Sequence, residues 1–151
     1  MKLITAPNSY KLDHFCVFLA GSIESDKAER WQETIINALK DNAITILNPR
    51  RASWDNSWEQ SINNTEFKEQ VNWELMGLEQ CDMVIMYFDP STKSPISLLE
   101  LGLFAQSGKL VVCCPDGFWR KGNVDVVCKR YTVDQVDSLE ELINKIKTKL
   151  I

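Results

Sequence analysis

Short apolar runs alternate along this chain with longer stretches whose apolar residues recur at helical spacing. CVFLAG (16–21), ITILNP (44–49), DMVIMYFD (82–89) and KLVVCCP (109–115) are apolar on both faces and stopped by glycine, proline or aspartate, the pattern of buried strands. YTVDQV (131–136) is a shorter fifth strand. Between them lie SDKAERWQETIINALKDN, with apolar residues at 28, 31, 35, 36 and 39 and Ser25 or Asp26 as cap, and NTEFKEQVNWELMGLEQC, capped by Asn64 or Thr65. SPISLLELGLFAQSGK is a further helix, with Ser94 at the cap, Pro95 at the first helical position, where its missing N–H costs nothing, and a stop at Gly108. SLEELINKIKTKL closes the chain behind a Ser138/Glu141 capping box. Residues 50–64 are polar, with two tryptophans and no period, and read as a loop or lid; 117–131 read as a loop with one short helix.

Strands buried on both faces and alternating with helices require a parallel sheet covered on both sides. The expected fold is therefore α/β: a three-layer, doubly wound, five-stranded parallel sheet in the flavodoxin-like order 2-1-3-4-5, a single domain over 1–151 with a polar lead-in at 1–14. Such a sheet carries its ligand site at the carboxyl ends of the strands, beside the switch between the first and the third. GSIES, NPRR and DPSTKSP should meet there.

One residue stands out against this pattern. From Ser94 to Gly108 the only charged side chain is Glu100. In a helix starting at Pro95 it falls in the second turn, on a face expected to carry Ile96, Leu103 and Phe104, near the end that lines the crevice. Burial penalises its charged form there, and the positive end of the helix dipole partly compensates. Glu74 shares a helix with Glu66, Glu69 and Glu79 and, taken alone, reads as one more member of a solvated face. Gly21 and Ser22 offer backbone N–H groups and a hydroxyl to a phosphate or sugar oxygen; Ser94 with Lys93 makes a second such place at a helix start. Arg50 and Arg51, after the second strand, suit a phosphate. Trp54, Trp58 and Trp119 fall in loops, where a nucleobase or a second subunit would cover them. A short loop, an ordinary cap and a solvated arginine pair are the plain readings of the same residues.

Composition narrows the function. The chain is long enough for one core, and a net charge of −4 with scattered basic residues argues against a nucleic acid polymer as partner. No run approaches the ~18 apolar residues of a membrane span, and MKLITAPNSYKLDHF lacks the apolar stretch of a signal peptide. The expectation is a soluble, cytoplasmic protein with no membrane partner. Cys16, Cys81, Cys113, Cys114 and Cys128 are odd in number, lack C-x-x-C spacing and read as reduced core thiols. His14, the only histidine, lies in the polar lead-in, so a zinc site lacks ligands at usable spacing and a Cys-His nucleophilic pair is set aside; no metal and no cofactor are expected. A flavin-binding electron carrier suits the fold but leaves Glu100 unexplained.

VFLAGSIE, NPRR, QVNWELMGLEQCDMVIMYFD, KSPISLLELG and GKLVVCC resemble the nucleoside 2-deoxyribosyltransferase superfamily, in its deoxyribosyltransferase-like branch, over roughly residues 15–145. The resemblance implies that Glu100, followed by Leu-Gly, is the nucleophile attacking the anomeric carbon of an N-glycoside, and that Glu74 is its acidic partner, with the sugar passing to water or another base. It implies substrate contacts from Phe18 to Gly21, where Phe18 stands at a position often held by tyrosine, with Ser22 following. Six residues before the nucleophile the nucleoside transferases carry a carboxylate for the 5′-hydroxyl, and the related deoxynucleoside-monophosphate N-hydrolase a serine that tolerates a 5′-phosphate. Ser94 matches the serine and favours a nucleotide. Members pair through helices around the site, so a homodimer is expected, with Asn123 or a tryptophan completing a neighbour's pocket. A non-catalytic nucleotide sensor on the same fold is the competing expectation.

Overall fold

The computed structural model describes residues 1–24, 30–51 and 56–151. Its strands are β1 (Lys2–Thr5), β2 (Cys16–Gly21), β3 (Thr45–Asn48), β4 (Met83–Tyr87), β5 (Leu110–Cys113) and β6 (Asp134–Val136). Its helices are α1 (Trp31–Leu39), α2 (Thr65–Gln80), α3 (Pro95–Phe104), α4 (Lys121–Arg130) and α5 (Leu139–Thr148). β2 through β5 are buried along their whole length, as apolar runs covered on both faces must be. The Ser25 or Asp26 cap lies outside the described residues, and α1 begins after Arg30.

Among the described residues the sheet has six strands in the order β1-β3-β2-β4-β5-β6, every neighbouring pair parallel, which corrects the expected five in the order 2-1-3-4-5. The added strand comes from the supposed polar lead-in: Lys2–Thr5 pairs with β3 from Lys2↔Thr45 to Thr5↔Asn48. KLIT is an edge strand with its first two residues exposed, so it lacks the two-sided apolar signature that marks its neighbours. The lead-in is then tied down by Trp73, whose Nε1 donates to Asn8 O at 2.8 Å and whose ring meets Tyr10 edge-on at 5.7 Å.

Two cores flank the sheet. On one face α1 and α5 bring Trp31, Ile35, Leu39, Leu142 and Ile146 onto Val17, Leu19, Ile85 and Val111. On the other, α2, α3 and α4 bring Trp73, Leu78, Leu101, Val124 and Cys128 onto Phe18, Ala20, Val84, Met86 and Val112. All five cysteines are free and buried; burial pushes Cys16 and Cys114 up to about 12 and Cys81, Cys113 and Cys128 to about 11, so they are packing thiols rather than nucleophiles. Among the described residues no helix is long and apolar enough to cross a membrane.

Helix ends follow local chemistry. Asn64 accepts from Phe67 N and Ser138 from Glu141 N, both as side-chain caps. Lys109 Nζ reaches Leu78 O, Glu79 O and Cys81 O, putting a cation on the carbonyl end of α2. Because β2 leads to β3 on one side and β4 lies on the other, the winding reverses between β2 and β4. The segments after these two strands, which precede α1 and α3, form the candidate site.

Candidate active site

α3 is turned the opposite way from the expectation that placed Glu100 with Ile96 and Leu103. Ile96, Leu99 and Leu103 are 57%, 60% and 58% exposed, while Glu100 is only 8% exposed and points inward with Ser97 and Leu101. A helix apolar on nearly every side has no periodicity to orient it, so packing decides. Leu101 and Ala105 meet the sheet side, and three hydroxyls pin the start of the helix, as described below. Ser94 is at the N-cap as expected, but its side chain does not cap α3: its φ is 46°, in the left-handed region, and its hydroxyl turns to Ser22 and Thr92.

The charge of Glu74 acts on Glu100. Burial raises Glu100 to about 8, with the charge of Glu74 adding to the rise. Burial also raises Glu74, against a hydrogen bond from Gln70 that favours its charged form. Glu74 is thus set apart from Glu66, Glu69 and Glu79, which lie exposed on the same helix. Gln70 Nε2 donates to Glu74 Oε1 at 2.9 Å and to Pro49 O at 3.0 Å, and Gln70 Oε1 accepts from Arg51 at 3.3 Å. The Arg51 guanidinium also lies 5.0 Å from the centre of the Trp58 ring.

A second cluster holds the mouth of α3. Ser22 Oγ lies 2.6 Å from Ser94 Oγ and 3.0 Å from Thr92 Oγ1, these two being 2.7 Å apart, and Ser22 Oγ accepts from Asp89 N at 2.8 Å. Trp31 Nε1 holds Ser22 O at 3.0 Å from the opposite layer. The Glu24 carboxylate accepts from Lys93 N and Ser94 N at 2.8 and 2.7 Å, so a carboxylate of this chain sits on the backbone donors that open the helix.

The remaining expected site residues scatter. Phe18 is fully buried against Trp73, ring centres 6.1 Å apart, and over Gly77, without an exposed surface. Gly21 ends β2 at φ 125°. Arg50 is half-buried, its N–H donating to Asn48 Oδ1 at 3.1 Å. Trp54 lies outside the described residues. Lys93 stacks its ammonium 4.3 Å from the Trp119 ring, whose Nε1 donates to Lys93 O at 2.8 Å. Asn123 is exposed on α4 and lines an apolar groove of ≈ 290 Å³ with Leu98, Leu101, Gly102 and Trp119, a lining without Glu100. The structure therefore brings the charge of Glu74 onto Glu100, joins Ser22 to Ser94, holds Lys93 N on Glu24, and leaves Asn123 apart. Sequence reasoning missed Gln70, Thr92 and Glu24. The spacing of Gln70, four residues before Glu74 on one helix, was the available signal for the first.

Residues 14–118 match the family described as "Nucleoside 2-deoxyribosyltransferase like". No curated protein matches the chain significantly. A conserved protein from Enterococcus faecalis V583 shares the fold at a TM-score of 0.64 and 18% identity, over 91% of this chain and 99% of that one. A second solved structure, the CMP N-glycosidase BcmB of Clostridium botulinum, matches at a TM-score of 0.53 and 16% identity, over 88% of this chain and 98% of that one.

Proposed function

Since the chain belongs to the nucleoside 2-deoxyribosyltransferase-like family, we propose that it cleaves the N-glycosidic bond of a nucleoside or nucleotide through Glu100. The observation that carries this reading is the inward-facing Glu100, 8% exposed and raised by burial to about 8, with Glu74 acting on it. An N-glycoside breaks through an oxocarbenium-like state, which a carboxylate in a water-poor site stabilises strongly. Glu100 attacks the anomeric carbon as the glycosidic electron pair leaves with the base nitrogen, and that nitrogen takes the proton the carboxylate pair holds. Water, or a second base, then displaces Glu100 from the sugar, and Glu74 takes back one proton. An N-glycosidase acting on CMP uses the same fold, which fits this chemistry.

Substrate contacts are proposed for Gly21, Ser22, Lys93 and Ser94 at the start of α3, for Arg50 and Arg51 after β3, for Trp54 as a loop aromatic, and for Phe18 and Asn123 by family resemblance alone. The 5′ end of the substrate would meet Ser94 and the Glu24 carboxylate together. Ser94 suits a phosphate, which must displace Glu24 from Lys93 N and Ser94 N, whereas a 5′-hydroxyl could donate to Glu24 where it stands. A panel of deoxynucleosides, ribonucleosides and their 5′-monophosphates, with released base separated by chromatography, tests the reading. Release by the native protein supports it, and the ratio of monophosphate to nucleoside rates reports whether Glu24 yields. No release from any member by folded protein would turn the reading to a nucleotide sensor.

We also propose a homodimer, because the outward face of α3 presents Ile96, Leu99 and Leu103 and a like face is the occupant that buries them without charge. Light scattering at micromolar concentration should give twice the chain mass, and Leu99→Asp should halve it. A native monomer would overturn this proposal.

A further inference from the structure

Gln70 is buried on α2, one turn before Glu74. A buried primary amide has two N–H donors and one carbonyl to satisfy, and here each has a partner: Glu74 Oε1 at 2.9 Å, Pro49 O at 3.0 Å and the Arg51 guanidinium at 3.3 Å. These partners admit one amide orientation. Flipped, the amide would aim its N–H groups at a guanidinium that only donates, and its oxygen at a carbonyl and a carboxylate that only accept. The orientation is fixed from outside α2, since Pro49 and Arg51 belong to the segment that follows β3.

We propose that Gln70 is a positioning residue: held by Pro49 and Arg51, it presents an N–H to Glu74, sets where that carboxylate stands, and favours its charged form. Its catalytic consequence rests on the N-glycosidase reading above; its effect on Glu74 does not. Among the described residues Gln70 from its own helix bears on Glu74 directly and Arg51 through the amide, while the charge of Glu74 in turn raises Glu100 on α3. By favouring the charged form of Glu74 against burial, Gln70 keeps the pair at one shared proton in the free protein. The departing base nitrogen takes that proton, which leaves Glu100 charged for attack.

The test is a ¹³C carboxyl titration of the protein without substrate, native against Gln70→Met, which keeps length and volume but removes the amide, and Gln70→Glu, which replaces the donor by a second carboxylate. The lower of the two titration steps of the pair should move up by about one pH unit in Gln70→Met, further in Gln70→Glu, with the upper step unmoved. For a substrate found in the panel, the acid limb of the kcat/KM profile should follow by the same amount while KM changes less than about twofold. A folded Gln70→Met whose lower step stays in place overturns the proposal. Should Gln70→Met fail to fold, Arg51→Met is read in the same titration: an upward step supports the proposal and an unmoved one overturns it. Because the titration needs no turnover, a protein inactive on the whole panel still gives a decisive result.

Discussion

Glu100→Gln is expected to lower base release by three orders of magnitude or more and, in the same protein, to raise stability at pH 8. Gln keeps the shape and size of the side chain, so the loss reports the missing nucleophilic oxygen rather than a collapsed site. The gain in stability follows from burial. The Glu100 carboxyl has its pKa raised to about 8 from an ordinary value near 4.5. Between these pH values the folded chain holds a proton that the unfolded chain has released. The native protein is thus favoured at the acid side of the window and loses stability as pH rises through it. An amide does not titrate and escapes the loss. Thermal melts of native and Glu100→Gln protein should differ little at pH 4.5 and diverge steadily to pH 8, by a few kcal/mol in order of magnitude. A constant difference across the range would show that Glu100 is not a buried titrating carboxyl. Base release surviving in the variant would place the nucleophile elsewhere. Both expected outcomes together would mark Glu100 as a carboxylate that lowers stability for the sake of chemistry.

Gly21→Ala is expected to be the most damaging of the small substitutions, with a loss of about 3–5 kcal/mol from backbone strain and overpacking. The Cβ it adds would run into Tyr87 O, lie 2.7 Å from Tyr87 N and sit 3.1 Å from the Trp31 ring, at a φ of 125° that L side chains rarely adopt. The clash is with backbone of the neighbouring strand, which has nowhere to go without breaking the β2–β4 ladder that ends at Gly21↔Tyr87. Ser22 N donates to Tyr87 O at 2.9 Å just beyond, so the hydroxyl cluster at the start of α3 would be displaced as well. Gly102→Ala is the matched control. It lies inside α3 with nothing within 4 Å of an added Cβ, and should gain about 0.5–1 kcal/mol of helix propensity. Urea melts of both variants check the pair: equal effects, or a stable Gly21→Ala, would mean that β2 and β4 are not in this close register.

Much of the molecule was legible along the chain. Runs such as CVFLAG and DMVIMYFD are apolar on both faces, so a parallel sheet between two helical layers was the only arrangement that keeps them dry, and caps at Asn64 and Ser138 were readable because capping is a contact between near neighbours. Glu100 was legible by contrast, as one charge in an apolar helix. Its partner was legible only through the family resemblance: on its own helix Glu74 looks like Glu66, Glu69 and Glu79 until α2 is packed against the sheet and Gln70 is tied to Pro49 and Arg51. The edge strand Lys2–Thr5 was hidden because an edge buries too little to show a pattern. The rotation of α3 was hidden for the opposite reason. SPISLLELGLF is apolar nearly all round, and only Leu101 and Ala105 against the core and Ser94 among Ser22 and Thr92 turn Glu100 inward and leave Ile96, Leu99 and Leu103 outside. Sequence alone thus determined the buried strands, the helices between them and which carboxylate is unusual, since those depend on each segment's own polarity. Tertiary structure decided which groups face that carboxylate, because contacts between distant segments leave no periodic trace in any one of them.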